Sequence, residues 1–493
     1  MVMEIVAGRI MAPFLGVSLY TWTSIIGVVM LGISLGNYLG GRVADKHGNS
    51  ELLGMSFLFS GFSVLTIVIF SNAAGQFFIT DVVPLPLATL FFSLLIFFLP
   101  SVMLSFITPI VIKLNLKNLG ETGITVGRIY SFSALGSILG TFATGYFFIQ
   151  WFGVRFIIMG VSVVLITIGA LMTGPFIKSE GKRLFIVFFL IFVYSLILPN
   201  KCDVESNYYC IYSTEFQLEN GHRAVALQLD HLVHGYFSGE EKNFLGYGYE
   251  GVYALAAEYF SEKKEPKFLM LGGGAYVLPR LLEENYPHAS VEVAEIDKAV
   301  TEYNYNNLQL SRDTKIHTYN QDARIFLQKA SNVQKYDVIF ADVFNDLSIP
   351  YHLTTDEFNA LVKSTLRNDG IYAVNIIDDY NLGSFLVSYI HTLKNNFEYI
   401  YLAPLNTNVY DIQRRYTYVV LASNVPVDER KWSVSYDELL GKGILDEEDD
   451  RKAVLNLVSG KELDEFIDGK KVVFLTDDYA PVDNMLAPVF RDR

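Results

Sequence analysis

The stretch KFLMLGGGAYVLPRLLEENYPHASVEVAEID, residues 267–297, decides how the second half of this chain is read. KFLML predicts a strand, GGG a turn, the stretch after it a helix, and SVEVA a second strand that runs into Glu295. Glycines at the end of a strand let the backbone approach a ligand with no Cβ in the way. An acid closing the next strand is placed to accept both hydroxyls of a ribose. The run is GGG rather than GxGxxG, which disfavours a dinucleotide fold and leaves a nucleoside-sized ligand. An alanine, Ala275, follows the third glycine.

Working outward, strands are expected at 290–294, 315–319, 336–341, 370–376 and 416–422, with helical stretches between them and a helix near 251–260. That alternation predicts a mostly parallel sheet covered by helices, whose ligands sit beyond the carboxyl ends of the strands. Polar residues at successive strand ends are then the candidates: Gly272, Gly273 and Gly274, then Glu295, Asp322 and Asp342. Before this domain, residues 200–250 read as a small antiparallel β unit, with Asn220-Gly221 as its hairpin turn.

The first 199 residues are of another kind. Six segments, 22–41, 52–70, 86–112, 127–149, 154–174 and 184–198, approach or reach the ~20 apolar residues that cross a bilayer. Small residues recur in them, as in GISLGNYLGG, and let helices approach closely in lipid. Residues 1–20 read as a short helix broken at Pro13 and Gly16, either the end of a longer helix or a stub in which Glu4 and Arg9 pair. Basic residues gather in the loops at 42–50, 113–128 and 175–183, whereas the alternate loops offer Arg155 and Lys201. The positive-inside rule puts the first set in the cytoplasm and, after six spans, the remainder of the chain outside; the short segment 184–198 lying in the interface would reverse this, which use of a cytosolic nucleoside favours. LGNYLGGRVADKHG, residues 35–48, resembles the loop between the second and third helices of major facilitator transporters, where an Asp and a base brace helix ends.

Charge divides the same way. Residues 1–199 carry a net +4 and the rest −18, within a total of −14. So acidic a domain is ill suited to nucleic acid, whose affinity rests on neutralising phosphates. The two cysteines, Cys202 and Cys210, exclude a disulfide framework or a zinc cluster. They are read as ordinary thiols, with a local disulfide as the alternative. DEEDDRK at 446–452 reads as solvated surface.

LQLDHLVHG, MLGGGAYVLPR, VAEID, QDARIF, YDVIFADVFND and LTDDYAPVDN together resemble the spermidine/spermine synthase family of aminopropyltransferases. The whole chain resembles the membrane-fused spermidine synthase-like proteins of bacteria. The resemblance implies a multi-span α-helical membrane bundle (1–199), a small antiparallel β unit (200–250) and an α/β Rossmann-like, methyltransferase-type domain (251–493). It implies S-adenosylmethionine or its decarboxylated form as co-substrate, no metal, an amine acceptor such as a polyamine, and release of methylthioadenosine. By the same resemblance Gly272, Gly273 and Gly274 hold the sulfonium region, Glu295 the ribose, and Asp322 with Ala323 the adenine; His234 stands where a glutamine contacts the donor. Asp342 takes the proton of the attacking amine, and Tyr247 or Tyr249 lines the amine tunnel. Asp346 and Asp478, with Asp477 beside it, are further substrate candidates, or in the case of the pair a capped turn. Bacterial inner membrane, lipid contacts and a homo-oligomer complete the expectation.

Two departures matter. The family reads GGGDG where this chain has Ala275 and Tyr276, and Asp-x-x-Asp where it has Asp342 and Asn345, with Asp346 one position late. Those absent acids hold ammonium groups, so S-adenosylmethionine itself is admitted as donor. The alternatives are a lyase that closes the methionine chain into a lactone, a transporter or sensor without turnover, and, third, a methyltransferase.

Overall fold

A computed structural model describes residues 1–78, 83–116, 118–173, 180–331, 335–344, 349–379, 381, 383–405, 416–445 and 455–489. Contacts divide the chain into two compact units, 1–210 and 211–492.

The first unit is helical: α1 (Val2–Leu15), α2 (Leu19–His47), α3 (Ser50–Phe78), α4 (Leu85–Asn115), α5 (Thr122–Ala143), α6 (Ile149–Trp151), α7 (Val154–Thr173) and α8 (Glu180–Ile197). Five helices are long and apolar enough to cross a membrane: α2, α3, α4, the run 122–151 that joins α5 to α6, and α7. The sixth expected segment forms α8, only 18 residues long and opening with Glu180, Lys182 and Arg183. α1 is largely buried and contains Pro13. Arg9 does not turn to Glu4; its guanidinium donates to the carbonyls of Ser206 (2.5 Å) and Asn207 (3.1 Å). Where α2 crosses α4 the small residues act as expected. A Cβ on Gly36 would lie 2.3 Å from the Val102 carbonyl oxygen, so only glycine permits that approach. At the end of these two helices Asp45 pairs with Lys113 at 3.1 Å, an exposed brace between helix ends. Cys202 and Cys210 are joined in a disulfide, with Cα atoms 5.1 Å apart, which corrects the reading of two free thiols. An eight-residue separation alone does not say whether the chain folds back, and here the segment turns on itself before the first long strand.

After β1 (Val204–Glu205), strands β2 (Cys210–Gln217), β3 (Arg223–Leu229) and β4 (Leu232–Phe237) form the antiparallel unit, with Gly221 at φ 86° in the β2–β3 turn. Helix α9 (Gly248–Glu258) follows. Then come β5 (Lys267–Leu271), α10 (Val277–Asn285), β6 (Ser290–Ala294), α11 (Lys298–Asn307), β7 (His317–Tyr319), α12 (Ala323–Ala330) and β8 (Tyr336–Ala341). β9 (Leu366–Asp378), β10 (Tyr399–Pro404), β11 (Tyr416–Ser423) and β12 (Val458–Ser459) complete an eight-stranded sheet of order β12-β10-β11-β9-β8-β5-β6-β7. The stretch from β9 to β7 is parallel, while β10, β11 and β12 are antiparallel; β10 and β12 are strands the sequence reading did not place.

The chain order reverses between β5 and β8, the switch point where ligands of such sheets bind. The core of the α/β unit is aromatic and aliphatic: Tyr253, Phe268, Phe340 and Tyr276 are buried between the sheet and α9 and α10. Burying one such side chain stabilises the fold by about 1.5–3 kcal/mol.

Candidate active site

Register aligns the candidates. Leu271 of β5 pairs with Ala341 of β8 and with Ala294 of β6, Ala294 pairs with Tyr319 of β7, and Ala341 pairs with Val374 of β9. The residues that follow are therefore Gly272, Asp342, Glu295, Asn320 and Asn375, side by side along one edge of the sheet. Gly272 has φ 90°, and a Cβ there would sit 2.1 Å from the carbonyl oxygen of Asp342. Glycine is what allows the two strand ends to meet.

Asp342 is buried and gripped from two sides. Its Oδ2 accepts from the Tyr249 hydroxyl at 2.7 Å and its Oδ1 from the Asn375 amide at 3.0 Å. Burial pushes its carboxyl above the ordinary aspartate value, and the two hydrogen bonds pull part of the way back. The Asn375 Oδ1 is buried with no hydrogen-bond partner among the described residues. An orphan acceptor beside a carboxylate is a place for a donor with more than one N–H. Tyr253 carries its hydroxyl to the Ala341 carbonyl (2.7 Å) and supports the strand end from beneath. Glu250 is buried nearby, accepts from the Tyr247 amide at 3.0 Å, and is pushed up to about 8 by burial, with the Asp342 charge adding to the rise.

Of the two tyrosine candidates, Tyr249 reaches the carboxylate. Tyr247 bonds the Val233 carbonyl (3.0 Å) and stacks on Tyr249 with centroids 5.5 Å apart.

The glycine loop is held by acids and amides. Glu295 accepts from the Gly273 amide at 2.7 Å and from the Asp297 amide at 2.8 Å, and burial pushes it up to about 7. Asn304 of α11 donates to the Gly274 carbonyl at 2.8 Å. His234 of β4 accepts at its carbonyl from the Ala275 amide (3.3 Å), which ties the antiparallel unit to the loop. Burial takes the His234 imidazole down to about 4, so it is neutral at pH 7.

Ala275 answers the anomaly after the third glycine. It is 2% exposed, and a Cβ on Gly235 would lie 2.7 Å from its own Cβ. The position is closed by β4 on that side, with room for a methyl group. Tyr276 adopts φ 56°, costly for a bulky residue, and turns its ring into the core, where its hydroxyl meets those of Thr301 and Thr318 at 3.1 Å each.

Asp322 caps α12, its Oδ1 accepting from the Arg324 and Ile325 amides at 2.9 and 3.1 Å. Its Oδ2 is 2.9 Å from His352 Nε2. Burial acts to raise this carboxyl, but the bonds to His352 and the helix amides outweigh it and hold it low. Ala323 is the buried first residue of that helix. Asp477 is not in contact with Asp342; it forms a two-bond pair with Arg324 (2.7 and 2.5 Å) and accepts from Thr355 at 2.8 Å. That pair fastens the LTDDYAPVDN segment to α12. Asp478 beside it is exposed, with no hydrogen bond to the other candidates among the described residues. Asp346, with Asn345, and DEEDDRK lie outside the described residues.

Sequence reasoning missed Asn375, Glu250 and His352. The signal for Asn375 was present: a single amide inside the apolar strand run IYAVNII, which a core strand tolerates only for a reason.

Residues 256–428 match the family described as spermine/spermidine synthase domain. The polyamine aminopropyltransferase of Vibrio vulnificus (strain CMCP6) is 37% identical over 124 residues, covering 24% of this chain and 40% of that protein. A probable polyamine aminopropyl transferase of Bifidobacterium longum (strain NCC 2705) is 32% identical over 132 residues, covering 26% of this chain and 28% of that one. The chain thus spans less than half the length of these two curated relatives. Among solved structures, a probable spermidine synthase from Corynebacterium glutamicum ATCC 13032 aligns with a TM-score of 0.46 at 19% identity, over 58% of this chain and 99% of that one. Residues 256–428, within the α/β unit, thus resemble a spermine/spermidine synthase domain.

Proposed function

We propose that the chain is a membrane-integrated alkyl transferase of the aminopropyltransferase type. It takes an S-adenosyl donor at the ends of β5, β6 and β7 and passes the donor's carbon chain to an amine held at Asp342. The observation that supports this most directly is the Asp342 carboxylate, held between the Tyr249 hydroxyl and the Asn375 amide, one residue beyond the strand that abuts the glycine loop.

The chemistry asks little more of the protein than alignment. The amine lone pair attacks the carbon next to sulfur, the C–S bond breaks, and its electrons neutralise the sulfonium as methylthioadenosine leaves. The new ammonium loses a proton to Asp342, whose raised basicity suits it to that task. The Asn375 Oδ1 accepts a second N–H and turns the lone pair toward the donor. Glu295 receives the ribose hydroxyls, and the adenine amino group goes to Asp322 Oδ2, from which His352 must turn aside.

A second reading is favoured by Ala275. With a buried methyl in place of an acid, nothing at that position repels the carboxylate of S-adenosylmethionine. That carboxylate can attack its own chain, closing a lactone with the same loss of methylthioadenosine and no proton to remove. Incubating the full-length protein with S-adenosylmethionine or its decarboxylated form, with and without putrescine, separates the readings by mass spectrometry of the products. Spermidine and methylthioadenosine support transfer. Methylthioadenosine with lactone, independent of amine, supports the lyase. S-adenosylhomocysteine indicates a methyltransferase, and no product with either donor defeats catalysis altogether.

For location, we read the helices as spans of a bacterial inner membrane: with α8 as a sixth span the loop charges put the α/β unit on the outer face, as the Cys202–Cys210 disulfide favours, whereas the five long helices alone put it on the cytoplasmic face.

A further inference from the structure

Four helices border one crevice of the helical unit: α1 along residues 9–14, α3 along residues 67–72, the first turn of α7, and the chain just past α8. The segment that carries the disulfide closes its rim. Arg155 and Lys201, the basic residues of the alternate loop set, both line it, and Arg9 joins them from α1. Among the described residues Glu205 is the sole carboxylate in the lining, so three cations face one anion there. Glu205 is also committed elsewhere: it accepts from the Val154 amide at 2.6 Å, capping α7, and from Asn200 at 3.3 Å.

Arg155 is the informative member. Its Nη1 donates to the Leu198 carbonyl at 2.5 Å, but Nε and Nη2 are shut off from solvent and have no hydrogen-bond partner among the described residues. Buried donors of this kind have an acceptor in nearly every native protein. The two orphan nitrogens belong to one guanidinium fork, whose geometry matches two oxygens of a phosphate. Buried Ile67 and Ile158 back the lining, so the desolvated fork sits against apolar packing rather than water.

We propose that this crevice holds the phosphate of an anionic phospholipid, gripped by the Arg155 fork, with Arg9 and Lys201 supplying charge complementary to the headgroup. Basic pockets between membrane helices take anionic headgroups on this principle. The site is independent of the transfer chemistry proposed above.

The test uses the full-length protein in a neutral detergent, with lipid retention read by native mass spectrometry. Phosphatidylglycerol is expected to be retained roughly tenfold better than a diacylglycerol glycolipid that carries no phosphate, the worth of about one charge-assisted hydrogen bond. Arg155→Gln should remove most of that preference, and Lys201→Gln, which leaves the fork intact, should lower it by a smaller factor. Tryptophan-fluorescence melting confirms that each variant folds, and Lys201→Gln carries the test where Arg155→Gln does not. Equal retention of the two lipids overturns the proposal, as does an unchanged preference in folded variants. So does occupation by millimolar inorganic phosphate without any preference between lipids.

Discussion

Glycine and buried polar groups serve the two units in opposite ways. In the helical unit Gly36 sits inside α2, where its missing side chain lets α4 approach. In the α/β unit Gly272 has φ 90° and brings a strand end against Asp342. The buried polar side chains differ likewise. Ser56, Ser60, Ser101 and Thr173 return their hydroxyls to carbonyls four residues back in their own helices, at 2.7–2.8 Å. Asp342, Glu250 and Glu295 are carboxylates held across the fold by groups far away in sequence or by loop amides. An apolar helix places most of its hydroxyls on its own carbonyls and the rest on the next helix, as Ser162 does on the Gly61 carbonyl. A domain in water can carry costly groups where chemistry wants them, provided distant elements hold them.

The comparison predicts that substitutions in the α/β unit are the more costly. Asp342→Asn should lower amine-dependent methylthioadenosine release by ~10²–10⁴-fold, the usual worth of a general base. It should leave nucleoside binding by calorimetry intact, and it should spare lactone formation, which has no proton to remove.

The next effect is on stability against pH. Glu250 is pushed up to about 8 from 4.5, so the folded state keeps a proton that the unfolded chain loses. The resulting stability is fully present below pH 4.5 and lost as pH rises through about 8. Hydrogen exchange of α9 should quicken across that window by the equivalent of ~3–5 kcal/mol, and Glu250→Gln should flatten the dependence.

Gly272→Ala places a methyl against the Asp342 carbonyl and forces an alanine to positive φ; about 3 kcal/mol of destabilisation should appear in thermal unfolding, with donor binding lost. Gly36→Ala makes a comparable clash, but two helices can slide apart, so ~1–3 kcal/mol is expected, read as weakened detergent resistance. An equal or larger loss there would break the contrast. Asp45→Asn, at an exposed pair, should change stability by under about 1 kcal/mol.

Much of the candidate site was legible because strand register is short-range information. Once FLML, SVEVA and YDVIFA are read as parallel strands, Gly272, Glu295 and Asp342 must emerge at one edge. What escaped the reading depends on distant segments. Choosing Tyr249 over Tyr247 needed the angle at which α9 meets β8, and Asn375 mattered only once β9 lay beside β8. Asp477 looked equally able to line the site or cap a turn until Arg324 was seen to hold it. The antiparallel β12 was missed because it is two residues long.

By itself the order of residues determined the apolar helical half, the α/β half, and the row of glycines and acids. Hydropathy and period act over neighbouring residues and need no partner. Only the tertiary structure decided which groups grip Asp342, that Ala275 is walled in by Gly235, that Cys202 meets Cys210, and that Arg155 and Lys201 share a crevice. Each of these depends on the distance between segments that the chain alone leaves free to vary.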